Sequence, residues 1–309
     1  MKRRGFTMIE AAAIVGVCGL GATVLGVVHG SAAGPRDRAK LLKDATQLRG
    51  IGQALIVFAS NNDDRYPTPS RIDRANGTVD ADPRSKDHTA AVYSILIYNG
   101  FFDPEMFISP LEDNPQIKAD GDYQYEEPEA AARPDRALWD PSFSIDFTGD
   151  RDGHASYAHQ QLSDDRLPTW ANTFNASEAQ FSTRGPKVTG VSYAGDGSAT
   201  PTLENPKSRT LGWYREGLLG KKGDAWSGNI AFADNHTEAR VGMIKRVEGD
   251  KFAPISLEDH PFPRLRLKED QREVVDVIFH DEAGAPRNAY LGLWITAGAK
   301  PEDFRGAWD

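Results

Sequence analysis

Glu10 stands where a carboxylate is costly. Eighteen residues without a charge follow it, Ala11 to Val28, enough to cross a bilayer core as a helix. A charge at the edge of such a segment costs on the order of a few kcal/mol unless it finds a partner. A new amino terminus would supply one. If the chain is cut after Gly5, the α-amine of Phe6 lies one helical turn from Glu10, on its own helix or a neighbour's. The chemistry expected there is an ion pair in a low-dielectric setting. A second grouping, Asp146, Asp150 and Asp152 before Gly153, offers three hard oxygen ligands suited to calcium, although the spacing is not that of an EF-hand loop. Asp234 and His236 flank Asn235 and are placed for a carboxylate–imidazole contact across a turn. His154 and His159 lack a third ligand and read as hydrogen-bonding histidines. No nucleophile elbow accompanies His236, and Gly195-Asp196-Gly197-Ser198 lacks the lysine and the length of a phosphate loop. Trp213, Tyr214, Trp226, Trp294 and Trp308 read as packing residues. The reading is of a protein that is not an enzyme.

These groups need elements to position them. Residues 1–5 form a basic leader, with Lys2, Arg3 and Arg4 expected to stay on the cytoplasmic side. Residues 6–29 form the apolar helix, where Ala12/Gly16 and Ala22/Gly26 are small-residue pairs of the kind that let helices approach. Residues 30–62 continue it as an amphipathic extension after a break or kink at Gly34-Pro35. Leu41, Ala45, Leu48, Gly52, Leu55 and Ala59 make the buried stripe, widened by Leu42, Ile51 and Ile56; Arg36, Asp37, Arg38, Lys40, Lys43, Asp44 and Arg49 take other positions. A continuous rod from Phe6 to Ser60 would be about 80 Å long. Asn61 to Asp64 and Tyr66-Pro67 stop it.

Residues 63–309 are expected to form one exported head. Asp87 to Phe102 reads as a short helix ended by Gly100. Strands are expected at Val188–Tyr193, Thr210–Trp213, Asn229–Ala233, Thr237–Val241, Val274–Phe279 and Tyr290–Thr296, with Asp234-Asn235 as a hairpin turn, since asparagine tolerates positive φ. Residues 114–190, rich in Pro, Asp and Gly, are expected to be long loops. The fold class is therefore α+β, a mainly antiparallel sheet packed on the end of a long helix.

Composition narrows the partners. The net charge of −9 falls to −12 without Lys2, Arg3 and Arg4, which argues against binding nucleic acid by neutralising phosphates. The single cysteine, Cys18, lies in the apolar segment, so no intrachain disulfide, cysteine-based zinc site or thiol nucleophile is available to the head.

Lys2 to Glu10 together resemble the prepilin and pseudopilin signal: basic leader, Gly5, Phe6-Thr7-Met8-Ile9, Glu10, then an uninterrupted apolar helix. The resemblance implies a prepilin peptidase that cuts after Gly5 and methylates Phe6, a Glu10 that pairs with the amine of an adjacent subunit, and the pilin fold. It also implies a single-pass inner-membrane protein with an exported head and other pilin-like subunits, assembly machinery and membrane lipid as its partners. Gln47 to Pro67, "QLRGIGQALIVFASNNDDRYP", is similar to a passage in a large planctomycete-type family of such proteins. The family's later motifs are matched in patches: Phe107-Ile108-Ser109-Pro110 has Ser109 in a cysteine's place, and Phe232-Ala233-Asp234-Asn235-His236 has Asn235 in a glycine's place. Asp224 or Ala225 stands where the family has a histidine. Two competing readings stay open: an ordinary secretory signal cut after Ser31-Ala32-Ala33, and a surface-displayed ligand- or carbohydrate-binding domain that uses the prepilin start only for export.

Overall fold

Helix α1 is described over Pro35–Ser60. In the computed structural model the described residues are 35–164, 166–176, 178–193, 199–211, 226–241, 243–245, 276–281 and 289–309. The 26 residues of α1 span about 39 Å. The helix ends where the side-chain amides of Asn61 and Asn62 donate to Val57 O and Phe58 O. Asp63 and Asp64 then turn the chain at φ 54° and 56°, left-handed values that Asp tolerates better than most residues. The turn follows Ser60, two residues before the expected limit. Leu48, Ile51, Leu55 and Ala59 form the buried face as expected. Two positions do not follow the expected stripe: Leu42 is exposed and Asp44 is completely buried.

Two further helices follow, α2 (Pro69–Ile72) and α3 (Thr89–Tyr98). Thr89 to Ile97 are all buried, which makes α3 a core helix. Gly100 lies just past its end at φ 73°, a backbone that glycine adopts without strain.

The strands are β1 (Tyr157–Gln160), β2 (Ala179–Thr183), β3 (Val188–Tyr193), β4 (Ala199–Leu203), β5 (Ser227–Phe232), β6 (Thr237–Val241), β7 (Ile244–Lys245), β8 (Asp276–Val277), β9 (Leu291–Gly292), β10 (Trp294–Thr296) and β11 (Arg305–Gly306). Five of them form an antiparallel sheet in the order β6-β5-β2-β1-β9; β3–β4, β7–β8 and β10–β11 pair separately, also antiparallel. The α+β class with a mainly antiparallel sheet is thus the observed one. Val188–Tyr193 and Thr237–Val241 are strands over the expected bounds. Tyr290–Thr296 splits into β9 and β10, and Val274–Phe279 is reduced to β8 within its described part. Of Thr210–Trp213, Leu211 makes a single bridge to Trp226, while residues 212 and 213 lie outside the described residues.

The largest correction concerns residues 114–190. This stretch holds β1 and β2, the fourth and third strands of the five. Both are buried at every position, so neither shows the apolar–polar alternation of a half-exposed strand. The sheet is covered on both sides. On one, Leu48, Ile51 and Leu55 of α1 pack with Tyr93, Phe107 and Phe181; on the other, Ile230, Phe232 and Leu291 pack with Trp226 and Phe279. Helix α1 lies across β2, β5 and β6. No helix among the described residues is long and apolar enough to cross a membrane; residues 1–34, with the expected apolar helix, lie outside them.

Candidate helix-docking site

Asp44 is the group around which the head is tied to α1. Helical steps from Leu41 through Asp44, Leu48 and Ile51 place its side chain in the middle of the buried face. Four donors from four separate segments converge on it. The Ser109 hydroxyl and the Tyr157 hydroxyl (3.0 Å) donate to Oδ1. Thr183 Oγ1 (3.1 Å) and Asn229 Nδ2 (2.6 Å) donate to Oδ2. Asn229 Nδ2 also reaches Leu41 O at 3.1 Å, and the next turn adds Gln47 Nε2 donating to Met106 O and Ile108 O, both at 3.1 Å. The helix is therefore bonded to β1, β2, β5 and the Phe107–Pro110 segment at one level. Burial pushes the Asp44 carboxyl above its ordinary pKa, while Ser109, Asn229, Tyr157 and Thr183 oppose that rise.

One end of β5 is held at Asp44. The other is held by close approach. The hairpin turn between β5 and β6 places Asn235 at φ 65°, as expected of Asp234-Asn235, and lays its side chain on Gly52. A Cβ at Gly52 would stand 2.2 Å from Asn235 Oδ1, and one at Gly50 would stand 2.5 Å from Met106 Cε. The glycines of the "RGIGQ" passage are thus contact points for the head. His236 Nδ1 meets Asp234 Oδ1, as the spacing suggested, and the ring stacks on Phe232 with 4.3 Å between centroids. Glu238, against partial burial and with help from Asp234, raises the His236 imidazole above its ordinary pKa.

No known family model, curated protein or solved structure matches the chain. Three internal passages, Gln47–Pro67, Phe107–Pro110 and Phe232–His236, lie within the described residues. They meet on one side of the sheet: Gln47 on α1 donates to Met106 O and Ile108 O, Gly52 lies against Asn235 of the hairpin, and Asp44, three residues before the first passage, joins Ser109 to Asn229. The Asp44 site itself was missed by placing that residue on the polar face. Its position between Leu41 and Leu48 was the available signal.

Asp146 accepts from Thr148 N (3.0 Å) and pairs with Arg151 (2.9 Å), Asp152 pairs with Lys118 (2.8 Å), and Asp150 is exposed. Cations of the chain meet two of the three candidate carboxylates, Asp146 and Asp152. Among the described residues, no three His, Cys, Asp or Glu side chains are placed to hold a metal ion. His159 is buried and, through burial, drops to a pKa of about 4; His154 Nδ1 meets Lys118 O. Trp226 and Trp294 are core residues, and Trp308 is half-buried. Gly5, Phe6 and Glu10, and also Gly195 to Ser198, lie outside the described residues.

Proposed function

We propose that this chain is a membrane-anchored pilin- or pseudopilin-like subunit. A prepilin peptidase cuts it after Gly5 and methylates Phe6, and the apolar helix of residues 6–29 holds it in the inner membrane with the head exported. Copies then assemble through that helix into a filament or a secretion pseudopilus, with Glu10 of one subunit paired to the Phe6 amine of another. The observation that carries this reading is Glu10 itself, a carboxylate at the start of an eighteen-residue uncharged run and five residues after Gly5. The docking site supports it. A subunit anchored by its helix has to pass load from that helix to its head, and Asp44 bonds α1 to four segments of the head in a buried setting. The role is structural, not catalytic.

The test is made on native material and on two variants. The mature chain is expected to begin at methylated Phe6 by intact-mass analysis. Gly5→Leu is expected to keep its leader, because the cut needs a small residue there. Glu10→Ala is expected to be cut normally yet give no filaments by electron microscopy, since it leaves an amine unpaired in a low-dielectric site. A mature terminus at Gly34, or normal filaments from Glu10→Ala, overturns the reading.

A further inference from the structure

The outward face of α1 is left uncovered by its own head. Leu42 is 64% exposed and Val57 52%, and Lys43, Thr46, Arg49 and Gln53 lie between them along the helix. From Lys43 to Ser60 the only acidic residue is Asp44, which is buried. The exposed face therefore offers cations and apolar atoms and no carboxylate. Neither Lys43 nor Arg49 has an ion-pair partner among the described residues.

The head carries a surface of opposite character. Asp122, Glu126, Glu127 and Glu129 are exposed around Tyr125, itself 47% exposed, and none of these four carboxylates is paired with a cation of the described residues. Partial burial and the nearby carboxylates of Asp103, Glu105 and Asp120 hold the Tyr125 phenol above its ordinary pKa. The loop thus joins an aromatic ring to a surplus of negative charge, where the helix face joins aliphatic groups to positive charge.

We propose that the outward face of α1 docks the Asp122–Glu129 loop of a second copy of this chain. Every copy carries both surfaces, and the two complement each other in charge and in apolar content. This rests on the subunit reading above and gives it a contact at the level of the head. Exposed ion pairs contribute little energy and are screened by salt, so the contact sets register and orientation while the apolar helices supply the binding. Because face and loop are different patches, one contact leaves a face free at one end and a loop free at the other, which lets further copies add.

The experiment places the photo-reactive residue benzoylphenylalanine at position 53 of the full chain in its own membrane, followed by irradiation and peptide mapping. An adduct between two copies is expected, with the partner peptide containing Tyr125. Lys43→Glu with Arg49→Glu is expected to lower its yield about tenfold, like charges then facing each other, and Glu126→Lys with Glu127→Lys in the same chain is expected to restore it. Adducts that map elsewhere on the second copy, or none at all while cleavage after Gly5 and filaments are normal, overturn this inference and leave the subunit reading in place. An uncut, monomeric chain overturns both.

Discussion

Replacing Asp44 separates two ways in which a buried carboxylate can hold a helix. In Asp44→Ala, the hydroxyl hydrogens of Ser109 and Tyr157 lose their acceptor inside a site with no solvent. Asn229 Nδ2 keeps Leu41 O at 3.1 Å, and Thr183 Oγ1 keeps Asn229 O at 3.3 Å, so these two donors lose one acceptor of two. Two buried donors deprived of this acceptor, at about 1–3 kcal/mol each, give a loss of roughly 2–6 kcal/mol. At about 2–4 °C per kcal/mol for a domain of this size, the melting midpoint falls by roughly 10 °C. Asp44→Asn is a different perturbation. Its amide oxygen can face Asn229 Nδ2, which can only donate, while its NH2 faces Ser109 and Tyr157, whose hydroxyls can turn and accept. The two hydroxyl hydrogens again lose Asp44 as their acceptor, but two amide N–H donations are gained in return, so the loss should fall between that of the parent and that of Asp44→Ala. The assay is thermal unfolding of the full chain in detergent, followed by the emission of the buried Trp139, Trp170, Trp226 and Trp294. An Ala variant that melts with the parent would show that the four donors do not hold the helix. An Asn variant as damaged as Ala would show that the amide's donations do not offset the lost acceptor.

Other outcomes follow from the same contacts. His88 and His159 are held at pKa values of about 4 by burial, so below pH 6.5 the unfolded chain takes up protons that the folded chain refuses. Stability should fall between pH 6.5 and about 4, by up to ~1.4 kcal/mol per pH unit for each histidine; denaturant midpoints that stay flat across that window would refute it. The buried Asp44 and Asp87, whose pKa values are raised by burial, act in the opposite sense and reduce the loss at its acid end. Gly52→Ala drives a methyl into Asn235 and should cost about 1–3 kcal/mol. Gly50→Ala meets only the flexible end of Met106 and should cost less, and the reverse order in urea titrations would show that the hairpin does not rest on Gly52. Asn235→Ala places an ordinary residue at φ 65° and should cost about 1–2 kcal/mol, whereas Asn235→Gly should lie within about 0.5 kcal/mol of the parent by the same measurement.

Local signals were legible because local physics makes them. Leu48, Ile51, Leu55 and Ala59 recur at helical spacing and are buried together; Asn61 to Asp64 end α1; Asp234-Asn235 makes the hairpin turn; and β3 and β6 carry β-branched residues over the bounds they occupy. Each depends on neighbours a few residues away, so the order of residues alone determined it. The central strands β1 and β2, with the sequences YAHQ and AQFST, were not legible. A strand covered on both faces shows no alternation, and their polar groups are paired outside the strands: Gln160 and Gln180 with Thr169 of the intervening loop, Tyr157 with Asp44 far back in the chain. Asp44 shows the same limit in one residue. A charge on a helix belongs in water unless something collects around it, and the four donors that do so come from positions 109, 157, 183 and 229. The sequence pattern put Asp44 among the polar positions of the helix; only the tertiary structure, by bringing those hydroxyls and that amide to one point, made its burial affordable in free energy and turned a polar helix position into the point where the head is held.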